Sequence, residues 1–196
     1  MSEFDCNSYI KEYINCVKNA LDSINVNEVS TVIEVLKDAL FRNGAIYVFG
    51  NGGSASTASH MQNDFNKGVS EHYAQKYRFL CLSDNVSTIT AIANDWSYED
   101  VFYRQLVGRL KKEDLVIAIS SQGNSKNIIK AVEYAKKIGC KTIGITGASG
   151  GELRLLADYH LHSNSFNVQV CEDLHLIFNH VIMSSLIKMQ EFDVGL

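Results

Sequence analysis

Apolar positions along the chain follow two different periods, and the rhythm changes near residue 44. Before that point Ile10, Tyr13, Ile14, Val17, Leu21 and Ile24 recur at intervals of three and four, which predicts an amphipathic helix over 8–25. Val29, Val32, Ile33, Leu36 and Leu40 repeat the pattern and predict a second helix over 28–43, with Gly44 as its stop. Beyond Gly44, short β-rich runs alternate with helical stretches. Strands are expected at 45–49, 78–82, 115–119, 141–145 and 159–162, and helices at 54–66, 86–93, 99–110, 125–138 and 151–157. The runs at 45–49, 115–119 and 141–145 are almost wholly apolar, as central strands of a parallel sheet are. A last helix over 171–191 has a wide apolar face made by Leu174, Ile177, Phe178, Val181, Ile182, Leu186 and Met189. This order predicts an α/β fold, a three-layer αβα sandwich with a five-stranded parallel sheet, N-terminal helices and a long C-terminal helix. Residues 1–44 read as a helical extension and 45–196 as the sheet domain, together one structural unit. The segment 67–77, KGVSEHYAQKY, is expected to be a mobile loop.

Composition narrows the classes of function. The 196 residues suit one domain, and 46% hydrophobic content is enough for a core. A net charge of −4 gives no support to nucleic-acid or anionic-membrane binding. No apolar run approaches the roughly 20 residues of a membrane span, and the polar, acidic start MSEFDCNSYIKEY is unlike a signal peptide. Five cysteines (Cys6, Cys16, Cys81, Cys140, Cys171) have no CxxC spacing and read as reduced thiols. A soluble cytoplasmic protein is expected. There is no proline, so glycine supplies the turns.

Ligands of open parallel sheets collect at the C-terminal ends of the strands. Three strands here end in small polar residues: Gly50-Asn51-Gly52-Gly53-Ser54, Ser120-Ser121-Gln122-Gly123-Asn124-Ser125, and Thr146-Gly147-Ala148-Ser149-Gly150-Gly151. The first two feed helices, and their hydroxyls, free N–H groups and helix dipoles suit a phosphate dianion. No GxxxxGK[ST] pattern is present, which argues against a P-loop nucleotidase. His60 and Asp64 are four residues apart and share a helix face, as a surface hydrogen-bonded pair or as half of a metal site. Glu172, His175 and His180 lie in the last helix. His175 and His180 are about 140° apart around it and should not serve one site. Glu172 and His180 are about 80° apart but separated by roughly 12 Å, so sharing an ion would need an irregular helix start at Glu172. His160 and His162 read as edge-strand residues, and Asn94-Asp95-Trp96 as a polar turn after a helix.

Taken together, GNGGSA at 50–55 with His60, AIANDWSYEDVFYRQ at 91–105, SSQGNSKN at 120–127, TGASGGELRLLAD at 146–158 and EDLHLIFNH at 172–180 resemble the sugar isomerase (SIS) domain family, most of all its phosphoheptose isomerase branch. The resemblance covers nearly the whole chain. It implies a homotetramer with active sites at subunit junctions. It also implies a ketose–aldose isomerase that converts sedoheptulose 7-phosphate to D-glycero-D-manno-heptose 7-phosphate for surface polysaccharide. By position, Asn51, Gly52, Gly53, Ser54, Asn94, Asp95, Ser120, Ser121, Gln122 and Ser125 would bind the sugar phosphate. His60, Asp64, Glu172 and His180 would bind one zinc per subunit and transfer protons, with Asp64 as base, Glu172 in reserve and His180 as acid.

The chain departs from the family pattern at three of these positions: Asp64 stands where Glu is usual, Glu172 where Gln is usual, and Gln122 in place of a hydroxyl. Asp64 is one methylene short, which withdraws its carboxylate by roughly 1.5 Å, and such a shift can cost about 10²-fold in rate. The added carboxylate of Glu172 is expected to offset this, giving a cluster of two histidines and two carboxylates. A non-catalytic scaffold, a sugar-phosphate sensor and an isomerase of another sugar phosphate are the competing readings.

Overall fold

The computed structural model describes residues 4–193. The chain opens with α1 (Cys6–Asp22) and α2 (Val26–Phe41), each started by a side-chain cap, Asp5 and Asn25 respectively. Five strands follow: β1 (Ile46–Gly50), β2 (Phe79–Cys81), β3 (Leu115–Ser120), β4 (Lys141–Thr146) and β5 (Tyr159–His162). They form one sheet in the order β2-β1-β3-β4-β5, with every pairing parallel. Between them lie α3 (Gly53–Asn63), α4 (Val86–Asp95), α5 (Tyr103–Leu106), α6 (Lys126–Ile138) and α7 (Gly151–Leu156), and α8 (Val168–Asp193) closes the chain.

Strand side chains alternate between two cores. Ile46, Val48, Leu115, Ile117 and Ile119 face a layer that receives α2, α3 and α8, with Val17 and Leu21 of α1 packed against it. Tyr47, Phe49, Val116 and Ala118 face the opposite layer, which receives Ile92 of α4, Leu106 of α5, the apolar face of α6, and Leu153 of α7. The fold is therefore the expected αβα sandwich. β1 and β3 are buried along their whole length because helices cover both faces. The chain direction across the sheet reverses between β1 and β3, and open α/β sheets bind ligands in the crevice formed at such a switch point.

Three expectations change. The segment 67–77 is not a loose loop. A π-helical turn (Asp64–Gly68) and a 3₁₀ turn (Val69–His72) carry it, with Val69, Ser70, Tyr73 and Tyr77 buried. Tyr73 donates to the Leu186 carbonyl at 2.8 Å and Tyr77 to the Leu36 carbonyl at 3.2 Å, so two tyrosines pin a segment whose sequence is otherwise polar. The helix expected over 99–110 contracts to one 3₁₀ turn and α5, with Gly108 at φ 73° ending it. Lastly, α8 begins at Val168 and has an 18-residue window of mean hydropathy 1.2, long and apolar enough to cross a membrane by length and composition. Its Val170, Leu174, Phe178, Ile182 and Leu186 are instead buried in the core beneath the sheet.

Candidate active site

The turn after β1 is built by glycine. Gly52 takes φ 54° and ψ −123°, a conformation that L side chains avoid, and it caps α3 without any side-chain hydrogen bond. Ser125 likewise precedes α6 without capping it, whereas Asp5, Asn25 and Asn85 spend their side chains capping α1, α2 and α4. At the two helix starts that face the switch point the N-cap residue thus caps no N–H group, although within α6 Asn127 Oδ1 accepts from the Ile128 N–H at 3.0 Å. Between them lies a cavity of about 180 Å³ lined by Asn51, Ser54, Ile119, Ser120, Ser121, Gln122, Ser125 and Glu172. Ser120 Oγ lies 3.5 Å from Ser125 Oγ and accepts from the Gly123 N–H at 3.1 Å, which draws the hydroxyls to one wall. Among the described residues no lysine or arginine lines this cavity.

Asn51 has a second task. Its Nδ2 donates to Asn127 Oδ1 at 3.0 Å and its Oδ1 accepts from Asn127 Nδ2 at 2.9 Å, a reciprocal amide pair that ties the first loop to α6. Tyr98 Oη also donates to Asn51 Oδ1 at 2.9 Å. Asn127 and Tyr98 fall within the motifs at 120–127 and 91–105 but are not singled out there, since their role depends on two loops meeting. Asn94 and Asp95 end α4, are exposed, hydrogen-bond each other at 3.0 Å, and do not line the cavity.

A second group gathers at the other end of α3. His60 Nε2 lies 3.1 Å from Asp64 Oδ2 and 3.1 Å from His180 Nε2, and His180 Nε2 lies 3.8 Å from the same Asp64 oxygen. These three residues could hold a metal ion. Asp64 is buried while both histidines are open to solvent. The shorter carboxylate therefore does reach its partners. Its position follows from the π turn that begins there, a local widening often found at functional sites. Asn179 Nδ2 donates to Asp64 Oδ2 at 2.6 Å, a contact that sequence reading missed. The signal is faint: one amide within the apolar run LIFNHVI of α8.

Glu172 stands apart from this group. It lies in the regular body of α8, and a Cβ placed on Gly53 would fall 2.5 Å from its carboxylate, so it rests against the first loop and lines the cavity. The offsetting carboxylate expected beside Asp64 is thus at the far end of α3. His175, about 140° around α8 from His180, is fully buried, and burial pushes its pKa down to about 4. His160 and His162 lie on β5, the sheet's edge strand, and burial lowers both.

The model of the SIS domain matches residues 8–147, which is most of the chain. The chain belongs to the SIS domain family. It is 36% identical over 179 residues to a probable phosphoheptose isomerase of Thermoplasma acidophilum, covering 90% of this chain and 96% of that one. A phosphoheptose isomerase of Aneurinibacillus thermoaerophilus is 37% identical over 183 residues, covering 90% and 91%. The solved phosphoheptose isomerase of Neisseria gonorrhoeae superposes with a TM-score of 0.83 at 25% identity, over 92% of this chain and 95% of that one. The matched SIS region takes in the end of β1, the Ser120–Ser125 loop and both leading helices, and stops before α8.

Proposed function

We propose that this protein is a ketose–aldose isomerase that converts sedoheptulose 7-phosphate to D-glycero-D-manno-heptose 7-phosphate, supplying heptose for surface polysaccharide. One observation carries this reading beyond family membership. An anion cradle and a set of acid–base side chains lie at opposite ends of one helix, about 10 Å apart by the rise from Gly53 to His60. An extended seven-carbon chain ending in a phosphate, with bonds of about 1.5 Å, spans a similar distance.

In this reading Ser120, Ser121, Gln122 and Ser125 hold the phosphate with the uncapped N-termini of α3 and α6. Asn51, Gly52, Gly53 and Ser54 form the facing wall, and Asn94 and Asp95 approach the sugar from the surface. Remote binding of the phosphate holds C1 and C2 in place. Asp64 removes a proton from C1 while the C1–H electron pair forms the C1–C2 double bond, and O2 takes a proton from His180 to give the enediol. His180 then recovers a proton from O1 as the C1 carbonyl forms, and Asp64 returns its proton to C2. Glu172, expected as a reserve base, lies beside the cradle at the phosphate end and takes no part in the proton transfer in this reading.

His60, Asp64 and His180 suit one zinc ion per subunit. Their separations of 3.1, 3.1 and 3.8 Å bracket the roughly 3.3 Å edge of a tetrahedron of ligands about 2.05 Å from zinc. A bound zinc would supply Lewis-acid polarisation of the carbonyl, and since it would take up His180 Nε2 and Asp64 Oδ2, proton transfer would fall to His180 Nδ1 and Asp64 Oδ1.

The cavity is smaller than the roughly 300–1,000 Å³ typical of a complete ligand site. Its small size supports completion by a second subunit, in a homotetramer with sites at subunit junctions. Tyr9, Ile10 and Ile14 of α1, all about half exposed, offer apolar surface for such contacts. We read residues 1–44 as a helical extension of the domain at 45–196 and place the protein in the cytoplasm, where its free cysteines stay reduced.

The deciding experiment incubates the purified protein with sedoheptulose 7-phosphate, with and without zinc, and identifies the sugar phosphates formed. The expected product is D-glycero-D-manno-heptose 7-phosphate. Absence of turnover in both conditions overturns the isomerase reading in favour of a scaffold or sensor. Gel filtration is expected to give four times the 21.8 kDa chain mass, and a clean monomer overturns the shared site.

A further inference from the structure

We infer that Asn179 is a positioning residue that locks the Asp64 carboxylate into the orientation used by His60 and His180. The inference rests on the reading of those three residues as a metal-binding and proton-transfer group. Asn179 is 1% exposed and lies in the middle of the 26-residue α8, so its amide has little freedom. Its Nδ2 donates to Asp64 Oδ2 at 2.6 Å. A carboxylate can only accept, so the amide must turn its NH₂ toward Asp64. That choice leaves Asn179 Oδ1 buried with no hydrogen-bond partner among the described residues. Flipping the amide would set two acceptor oxygens face to face. The orientation is therefore dictated by Asp64, at the expense of the amide's own carbonyl.

The oxygen that Asn179 engages is the one that faces both histidines, at 3.1 and 3.8 Å. The other, Oδ1, accepts only a 3.4 Å contact from Asn63. The terminal torsion of an aspartate is broad and roughly two-fold, so without a fixed donor the carboxylate would be free to turn. Packing one turn further along keeps that donor in place. A Cβ on Gly68 would fall 2.5 Å from Met183 Cε, so the absence of a side chain there lets α8 approach the π turn closely. Asp64 meets Asn179 and Gly68 meets Met183, each pair four residues on from the other along both helical segments.

The test measures zinc affinity of the full-length protein by competition with a chromophoric chelator. Asn179→Leu keeps similar volume and removes the donor. It is expected to weaken zinc binding 10- to 100-fold, as loss of a hydrogen bond to a ligating carboxylate does, without lowering the melting temperature of the metal-free protein. His175→Leu, one turn away on the same helix and out of contact with Asp64, is expected to leave zinc affinity within twofold. Asn179→Ser, which keeps a shorter donor, takes the place of the leucine variant if that does not fold and is expected to lose affinity in the same direction. A loss below threefold in the Asn179 variant, or an equal loss in the Asn179 and His175 variants, overturns the inference while leaving the metal site standing. A wild-type protein that takes up no zinc overturns both.

Discussion

At its N-terminus α3 presents backbone, and at its C-terminus it presents side chains. The first end is made by Gly52 at positive φ, by Gly53 pressed against Glu172, and by helix starts whose N-cap residues make no side-chain hydrogen bond. The second is made by His60, Asp64, His180 and Asn179, four side chains from two helices meeting at a π turn. A backbone cradle depends on what is missing: a side chain would strain Gly52 at φ 54°, and a Cβ on Gly53 would run into the Glu172 carboxylate. A side-chain cluster depends on which atoms are present. The two ends should therefore fail under opposite kinds of mutation.

The largest effect is expected at the side-chain end. Asp64→Asn keeps the shape but removes the base, and turnover of sedoheptulose 7-phosphate should fall about 10³-fold, or about 4 kcal/mol in the barrier. Its urea midpoint should stay close to wild type, because no cavity is opened. The cradle should show the reverse. Gly123 has φ 72°, and a Cβ there would lie 1.9 Å from the Gly150 carbonyl oxygen, which belongs to the backbone and cannot swing aside. Gly123→Ala should cost about 3 kcal/mol of stability, from the left-handed conformation and overpacking together. Unfolding midpoints for both variants check the contrast. Equal stability loss in the two would break it.

The same contrast explains what the sequence made legible. A backbone cradle is local: a buried strand, glycines, then a helix start within nine residues (46–54), so its chemistry is readable from one stretch of chain. The apolar strand runs were equally plain, because burial on both faces removes every alternative pattern. The side-chain cluster is assembled across 120 residues, and nothing local says that Asn179 meets Asp64. Sequence spacing placed Glu172 two turns from His180, and the regular helix that α8 forms keeps it there. Only an unrealised irregular start would have brought the two together. The packed segment 67–77 was hidden for a related reason. Its charged residues Lys67, Glu71 and Lys76 face solvent, while Tyr73 and Tyr77 bury their rings and satisfy their hydroxyls on distant carbonyls.

The next effect separates α8 as a core helix from α8 as part of the site. His175 is buried between sheet and helix with neither ring nitrogen paired among the described residues, and burial lowers its pKa to about 4 from an ordinary value of 6.5. The folded state therefore resists a proton that the unfolded chain accepts. Stability from this group is complete above about pH 6.5 and is lost as the pH falls toward 4, amounting to about 2 kcal/mol by pH 5. His175→Leu should flatten that acid limb by this amount in urea titrations while leaving turnover at pH 7.5 unchanged. An acid limb identical to wild type would show that the ring has access to a proton acceptor or solvent after all.

The smallest expected effect bears most directly on where one end of the helix stops and the other begins. Glu172 is a carboxylate on the wall of a cavity without cationic side chains, beside helix starts suited to a dianion. Its charge opposes the phosphate there, and across the solvent-exposed mouth of the cavity that opposition is screened to about 1 kcal/mol. Glu172→Gln should therefore lower KM for the sugar phosphate roughly fivefold, hold kcat near wild type, and leave zinc affinity within twofold. If Glu172 instead serves the His60–Asp64–His180 cluster, the same variant loses zinc affinity and kcat, and KM does not improve. The two outcomes differ in sign as well as size. Raising the salt concentration gives a second check, because a charge acting on phosphate through solvent is weakened by ions and the KM difference should shrink, whereas a direct metal contact would be nearly indifferent to added salt.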